Sequence, residues 1–189
     1  MKTIDELLLQ IAKNTGTAAP PPSDKKAEPK LKAQAVSDIK SVSQLGMKPY
    51  LTLSLAKEII YCVEKGAEKE GVNAVISIVN DNGRLVAFEA MDNSFLASIS
   101  ASQNKAYTAA SLRMPTDEAL RESRGGGLDG LSNGNGILLL GGGKPLFVGD
   151  DLIGAIGVSG GTKEQDIELA KLGVCYLNER IKYMKEDEK

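Results

Sequence analysis

One turn constrains the fold of this chain more than any other feature. Asn80-Asp81-Asn82-Gly83 stands between two β-rich runs, Ala74–Val79 and Arg84–Ala90. Asn, Asp and Gly accept the backbone angles that tight hairpin turns demand. Strands joined this closely pair antiparallel, because a parallel pair needs a crossover of a dozen or more residues. The flanking patterns agree. Residues 52–70 place Leu55, Ala56, Ile59, Ile60, Val63 and Ala67 on one helical face, and Gly71 sits where a helix stops. Residues 95–112 predict a helix rich in Ala and Ser. Pro115-Thr116 opens a short one with Asp117 and Glu118 in its first turn. Ile137–Leu140, Pro145–Val148 and Leu152–Val158 predict three more strands, the last two joined by Gly149-Asp150-Asp151. A last helix starts at Thr162, with Gln165 completing a capping box, and carries a stripe of Ile167, Ala170, Val174, Leu177 and Ile181. No strand–helix alternation repeats. The pattern predicts an α/β chain of the α+β kind: one antiparallel sheet with helices packed on it.

The first 47 residues have a different character. Ile4, Leu7, Leu8 and Ile11, with Ala12, fall on one helical stripe, and Thr3 and Glu6 have capping-box spacing. Gly16 ends this pattern. A helix of about four turns is marginal alone in water, so its apolar face needs a partner. Residues 16–47 then read as a proline-rich tether: four of the seven prolines lie between residues 16 and 33, where apolar periodicity is lost. Ala35, Val36, Ile39, Val42 and Leu45 suggest a short helix within its second half. The division is therefore 1–15, an amphipathic helix; 16–47, a flexible linker; and 48–184, the folded domain.

Composition excludes several classes of function. Apolar residues make up 42% of the 189, but aromatics only 4%, so the core is aliphatic. The net charge of −2 gives no pull toward nucleic acid or an anionic membrane. No apolar run approaches the ~20 residues of a membrane span, and no signal-peptide pattern opens the chain, so a cytoplasmic protein is expected. Cys62 and Cys175 lie in separate helices and read as free, buried thiols. Above all, there is no histidine. Ser-His-Asp and Cys-His machinery and histidine metal sites are ruled out, and acid–base chemistry falls to carboxylates, Lys or Tyr.

Three motifs are weaker than they look. Gly157-Val158-Ser159-Gly160-Gly161 has the form of a nucleophile elbow at a strand–helix junction, but it has no histidine base. Its better reading is a close backbone bend that turns N–H groups toward an anion or polar ligand. Gly125-Gly126-Gly127-Leu128-Asp129-Gly130 follows a helix rather than a strand, so it lacks the dinucleotide-binding context. Gly143-Lys144 lacks the rest of a phosphate loop. The nine glycines between 125 and 143 read as a mobile loop suited to covering a ligand or an oligomer contact. Lys105 has no acidic residue four positions away and reads, taken alone, as a solvated lysine.

Taken together, several segments carry a more specific pattern: Asn80 to Phe88, Met91-Asp92, Lys105 to Ala110, Pro115-Thr116, Gly141 to Leu146, Gly154 to Gly161, and Gln165-Asp166. In order and spacing they resemble the GlcG/HbpS family, which includes the C-terminal domain of PduO, over roughly residues 50–183. The resemblance implies a profilin-like fold, an antiparallel five-stranded sheet with helices on both faces, and a homo-oligomer. It implies binding of a tetrapyrrole, haem or a corrinoid, or of a flavin. The matching positions Met91, Asp92, Lys105, Thr108, Gly142, Gly143, Pro145 and Ser159 are the candidate ligand-binding residues; no catalytic residue and no metal ligand is assigned. A haem here would take Cys62, Tyr61, Tyr107, Met91, Met114 or Lys105 as axial ligand, since histidine ligation is excluded. PduO-type domains are associated with bacterial microcompartments, whose cargo carries short amphipathic helices on tethers. Ile4, Leu7, Leu8 and Ile11 then become a targeting face for a shell protein or an encapsulated enzyme, and the lumen the expected location. Two alternatives stand beside the binding module: a structural or recruitment oligomer without ligand, and an accessory enzyme acting on a corrinoid or small carbonyl compound.

Overall fold

The computed structural model describes residues 48–186. The expected helix 1–15, with its targeting face, and the linker 16–47 lie outside the described residues. Within them, the first helix, α1 (Leu53–Glu70), is capped by Thr52, whose hydroxyl accepts from the Leu55 N–H at 3.2 Å. Gly71 ends it in the left-handed region at φ 64°. Strands β1 (Val75–Asn80) and β2 (Leu85–Ala90) form the expected hairpin. The Asn80 side-chain oxygen accepts from the N–H groups of Asn82 and Arg84, each at 3.0 Å, which holds the turn closed. Helices α2 (Leu96–Leu112) and α3 (Thr116–Glu122) follow, then β3 (Gly143–Val148), β4 (Asp151–Ser159) and α4 (Lys163–Glu186). The capping box at the start of α4 forms in both directions, Thr162 N–H to Gln165 at 2.9 Å and Gln165 N–H to Thr162 at 3.2 Å.

The sheet is antiparallel throughout, in the order β2-β1-β4-β3. It has four strands among the described residues, not five. Ile137–Leu140 is not a strand: only an isolated bridge between Gly134 and Ile137 forms there. The reason lies in its partners. The N–H of Leu138 goes to the Thr108 hydroxyl (2.8 Å) and that of Leu139 to the Asn133 side chain (2.7 Å), so this backbone is tied to α2 and to its own loop rather than to a strand.

Helices cover both faces, as the α+β reading requires. One face is thickly aliphatic. Ile76 and Ile78 of β1 and Ile156 and Val158 of β4 pack against Ile59, Ile60 and Val63 of α1 and Leu169, Tyr176 and Leu177 of α4. The stripe on α4 is turned slightly from the sequence expectation: Leu169, Ala170, Tyr176 and Leu177 are buried while Ile167 and Val174 are half-exposed. Gly173 accounts for the shift, because a Cβ there would meet Ile156 at 2.8 Å and Ile59 and Val63 at 3.2 Å. The α4 backbone itself contacts the core at that point.

The other face is thin. Its small core consists of Val79, Ala106, Ala109, Ala110 and Ala155, with α2 lying on β1 and β4. Gly143 and Gly157 are register partners across β3 and β4. A Cβ on Gly157 would stand 2.0 Å from the Ser102 carbonyl oxygen, and one on Gly143 2.5 Å from that of Lys105. The helix backbone therefore rests almost directly on the sheet, which only two glycines permit. Buried polar groups are matched: the hydroxyls of Ser77 and Ser102 lie 2.8 Å apart.

Candidate functional site

Two places on the α2 face concentrate polar chemistry, one sealed and one open. The sealed one is centred on Lys105, which has no solvent-exposed surface. Its ammonium donates to Asp166 Oδ2 at 2.7 Å and to the Val158 carbonyl at 2.8 Å. Asp166 is 61 residues away in sequence, at the start of α4. Lys105 is thus a buried, paired lysine rather than the solvated one its own helix suggests. The other Asp166 oxygen accepts from the Gly161 N–H at 2.9 Å. The bend after β4, expected to offer N–H groups to a ligand, thus gives this one to the chain's own carboxylate. Burial lowers the Lys105 ammonium and raises the Asp166 carboxyl, while their mutual attraction pulls each the other way. Gly142, at φ 112°, lies against the pair: a Cβ there would stand 3.1 Å from the Lys105 nitrogen. Close by, the Thr116 hydroxyl donates to the Leu140 carbonyl at 2.6 Å and accepts from the Gly143 N–H at 2.9 Å.

The structure thus brings Lys105, Gly142 and Gly143 together and adds Asp166, Thr116 and the Val158 carbonyl. Ser159 is buried and its hydroxyl lies 3.4 Å from that of Ser98, not against a base. Thr108 is buried on α2, donating to Asn104 and accepting from Leu138. Pro145 sits on the edge strand β3, half-buried, where a missing N–H is tolerated. Met91 and Asp92 are at the end of β2, on the opposite edge; Met91 packs against the aliphatic core and Asp92 is exposed.

The open place is a depression of about 300 Å³ at the other end of α2's outer surface. Gln103, Asn104 and Tyr107 of α2 face Asn135 of the glycine-rich segment, with Val79 and Leu85 of the hairpin strands beneath. Tyr107 is wedged between two glycines: Cβ atoms on Gly83 and Gly136 would stand 2.8 and 3.1 Å from its ring carbons. The hairpin turn and the glycine-rich segment therefore grip one aromatic ring, 37% exposed, from either side. That segment is tied at several points: the N–H of Gly127 goes to Glu122 at 2.8 Å and that of Gly125 to Asp129 at 2.9 Å.

The axial-ligand candidates separate on this geometry. Cys62 is fully buried and burial pushes its thiol up to about 12. Lys105 is paired. Tyr61 lies on the outer surface of α1 beneath the Lys65 ammonium, 5.5 Å from its ring centre. Met91 and Met114 are half-buried and line no part of the depression. Tyr107 alone of the six stands in it. No group of three His, Cys, Asp or Glu side chains suited to a metal occurs among the described residues, and no helix there is long and apolar enough to cross a membrane.

A family model described as "Haem degrading protein HbpS-like" matches residues 51–175, the span that holds both places. The chain belongs to the HbpS-like family. It is similar to an uncharacterized 15.0 kDa protein of the dhaT-dhaS intergenic region of Citrobacter freundii, 39% identical over 132 residues, covering 68% of this chain and 93% of that one. It is also similar to the corrinoid adenosyltransferase PduO of Citrobacter freundii, 33% identical over 118 residues, which are 60% of this chain but only 35% of PduO. The match therefore reaches about a third of that enzyme. The fold is shared with the crystal structure of a PduOC:heme complex, 28% identical, with a TM-score of 0.65 over 69% of this chain and 96% of that one. The GlcG/HbpS resemblance read from the motifs and the α+β fold with helices on both faces are thus established.

Haem is the group this family brings to mind, and the lining tests it. The depression offers an aromatic ring, two aliphatic side chains and three side-chain amides. It offers no imidazole, and no lysine or arginine side chain lines it to meet haem's two carboxylates. The ring system is matched; the charged periphery of haem is not.

Proposed function

We propose that this domain is a tetrapyrrole-binding accessory protein, carried into a bacterial microcompartment as cargo by residues 1–15. The carrying observation is the Tyr107 depression, an open, uncharged, aromatic-based site in a chain whose solved relatives include a PduOC:heme complex. Flat macrocycles are recognised by apolar and aromatic contact with a few polar groups at the edge, and the depression has that make-up. The protein's part is to bind and orient the ring. Among the described residues no acid–base pair converges on the depression, which favours a holding or delivery role over a reaction of the chain's own.

Titration of the purified full chain with haemin and with dicyanocobinamide, followed by absorbance, tests the binding. A saturable spectral change at micromolar ligand is expected for at least one of them, and none for either at tens of micromolar would refute the reading. Fusing residues 1–33 to a fluorescent protein tests the cargo role. Puncta are expected in cells that make shells, dispersed by Leu8→Glu, whereas diffuse fluorescence of the unaltered fusion would refute targeting.

A further inference from the structure

The reading above leaves the class of tetrapyrrole open, and the depression's edge narrows it. We propose that the site selects a macrocycle bordered by carboxamides, the corrinoid class, over one bordered by carboxylates, the haem class. This inference rests on the tetrapyrrole reading.

Three side-chain amides converge there: Gln103 and Asn104 from α2, and Asn135 from the glycine-rich segment opposite. None of the three side chains has a hydrogen-bond partner among the described residues, so all are available to a ligand. Each offers two N–H donors and a carbonyl acceptor. A ligand carboxamide has the same set and pairs reciprocally, donor to acceptor in both directions. A carboxylate only accepts. It meets the amide N–H groups but faces the amide oxygens unfavourably, and its charge finds no cation in the lining. Desolvating an ionised carboxylate without a cation is costly, whereas a neutral amide loses little when its hydrogen bonds are replaced. The nearest cation in sequence, Arg84, lies in the hairpin turn between Gly83 and Leu85; it is exposed and its side chain is not part of the lining. At about 300 Å³ the depression takes one edge of a macrocycle with its side arms, so edge chemistry decides the preference.

The test compares three probes on the full chain: dicyanocobinamide, haemin, and the diamide of haemin, which keeps the haem ring but neutralises its periphery. Cobinamide and the diamide are expected to bind at least about tenfold more tightly than haemin, the effect of one or two hydrogen bonds. Gln103→Lys, a half-exposed rim change, is expected to narrow or reverse the preference by favouring haemin. Tyr107→Ala, checked for an unaltered circular dichroism spectrum, is expected to weaken cobinamide about tenfold. Haemin binding as tightly as its diamide overturns the inference while leaving tetrapyrrole binding intact. So does cobinamide binding that is unchanged in both variants, or haemin binding that is lost in Arg84→Ala. Binding of none of the three probes overturns the tetrapyrrole reading and this inference with it.

Discussion

The two faces of the sheet are built on opposite principles. The α1/α4 face is filled with branched aliphatic side chains, whereas the α2 face is a contact between backbones, with alanines, serines and glycines between them. The aliphatic face supplies hydrophobic stabilisation in proportion to the area it removes from water. The thin face buries little apolar area and holds position instead. It carries the Lys105–Asp166 pair, the paired Ser77 and Ser102 hydroxyls and the Tyr107 depression. The difference explains why the candidate site is on the thin side: a helix seated on the sheet within a backbone's thickness presents its outer residues at a fixed height.

If that contrast is right, the two faces respond oppositely to added and removed volume. Gly157→Val should be the most damaging change, because its Cβ lands on the Ser102 carbonyl and α2 must lift. A loss of more than about 4 kcal/mol, or no cooperative unfolding transition in urea, is expected. A transition within about 1 kcal/mol of the unaltered protein would break the contrast.

Lys105→Met should cost about 3–5 kcal/mol, by leaving the Asp166 carboxylate buried without its cation. The double variant Lys105→Met, Asp166→Leu should recover most of that loss, as measured by urea unfolding. No recovery would show that the ammonium's bond to the Val158 carbonyl, not the pair, holds α2 to α4.

On the thick face removal is the harmful direction. Ile156→Ala should cost about 2–4 kcal/mol, the price of a cavity beneath Gly173. Ala109→Gly on the thin face should cost nearer 1 kcal/mol, from helix propensity more than lost packing. Equal losses in chemical denaturation would erase the distinction.

The smallest effect concerns the rim of the thick face, where Glu64 of α1 approaches Glu89 of β2. Burial, with the neighbouring Glu89 carboxyl, raises Glu64 from 4.5 to about 7. Lys65 opposes this and Glu68 adds to it. Between those values the folded chain holds a proton that the unfolded chain has released. The group's stabilising contribution is therefore full below about 4.5 and lost as pH rises through 7. On this half-exposed carboxyl, solvent screening reduces the effect to about 1 kcal/mol. The melting temperature should fall slightly between pH 5 and 8, and Glu64→Gln should flatten that slope.

Local signals proved legible wherever the cause was local. The Asn80–Gly83 hairpin, the Gly71 stop and the Thr162–Gln165 box rest on bonds within a few residues, and each formed as read. The motif resemblance also reached the right family, because it used the order of many segments rather than one. Ile137–Leu140 failed as a strand because its hydrogen bonds were claimed by Thr108 and Asn133, which strand propensity does not see. Asp166 stayed outside the candidate site for the same reason: nothing on α2 points to a residue 61 positions away.

By itself, then, the sequence determined the element types, the antiparallel hairpin, the family and the absence of any imidazole, all of which follow from composition and short-range periodicity. Tertiary structure alone decided what became of the special residues. Folding sealed Lys105 against Asp166, turned the Gly161 N–H inward to the same carboxylate, and wedged Tyr107 between Gly83 and Gly136. The physical reason is burial. Whether a lysine is a solvated charge or half of a sealed pair, and whether a tyrosine is surface or site, depends on which distant backbone closes over it, and the glycines set how closely that backbone comes.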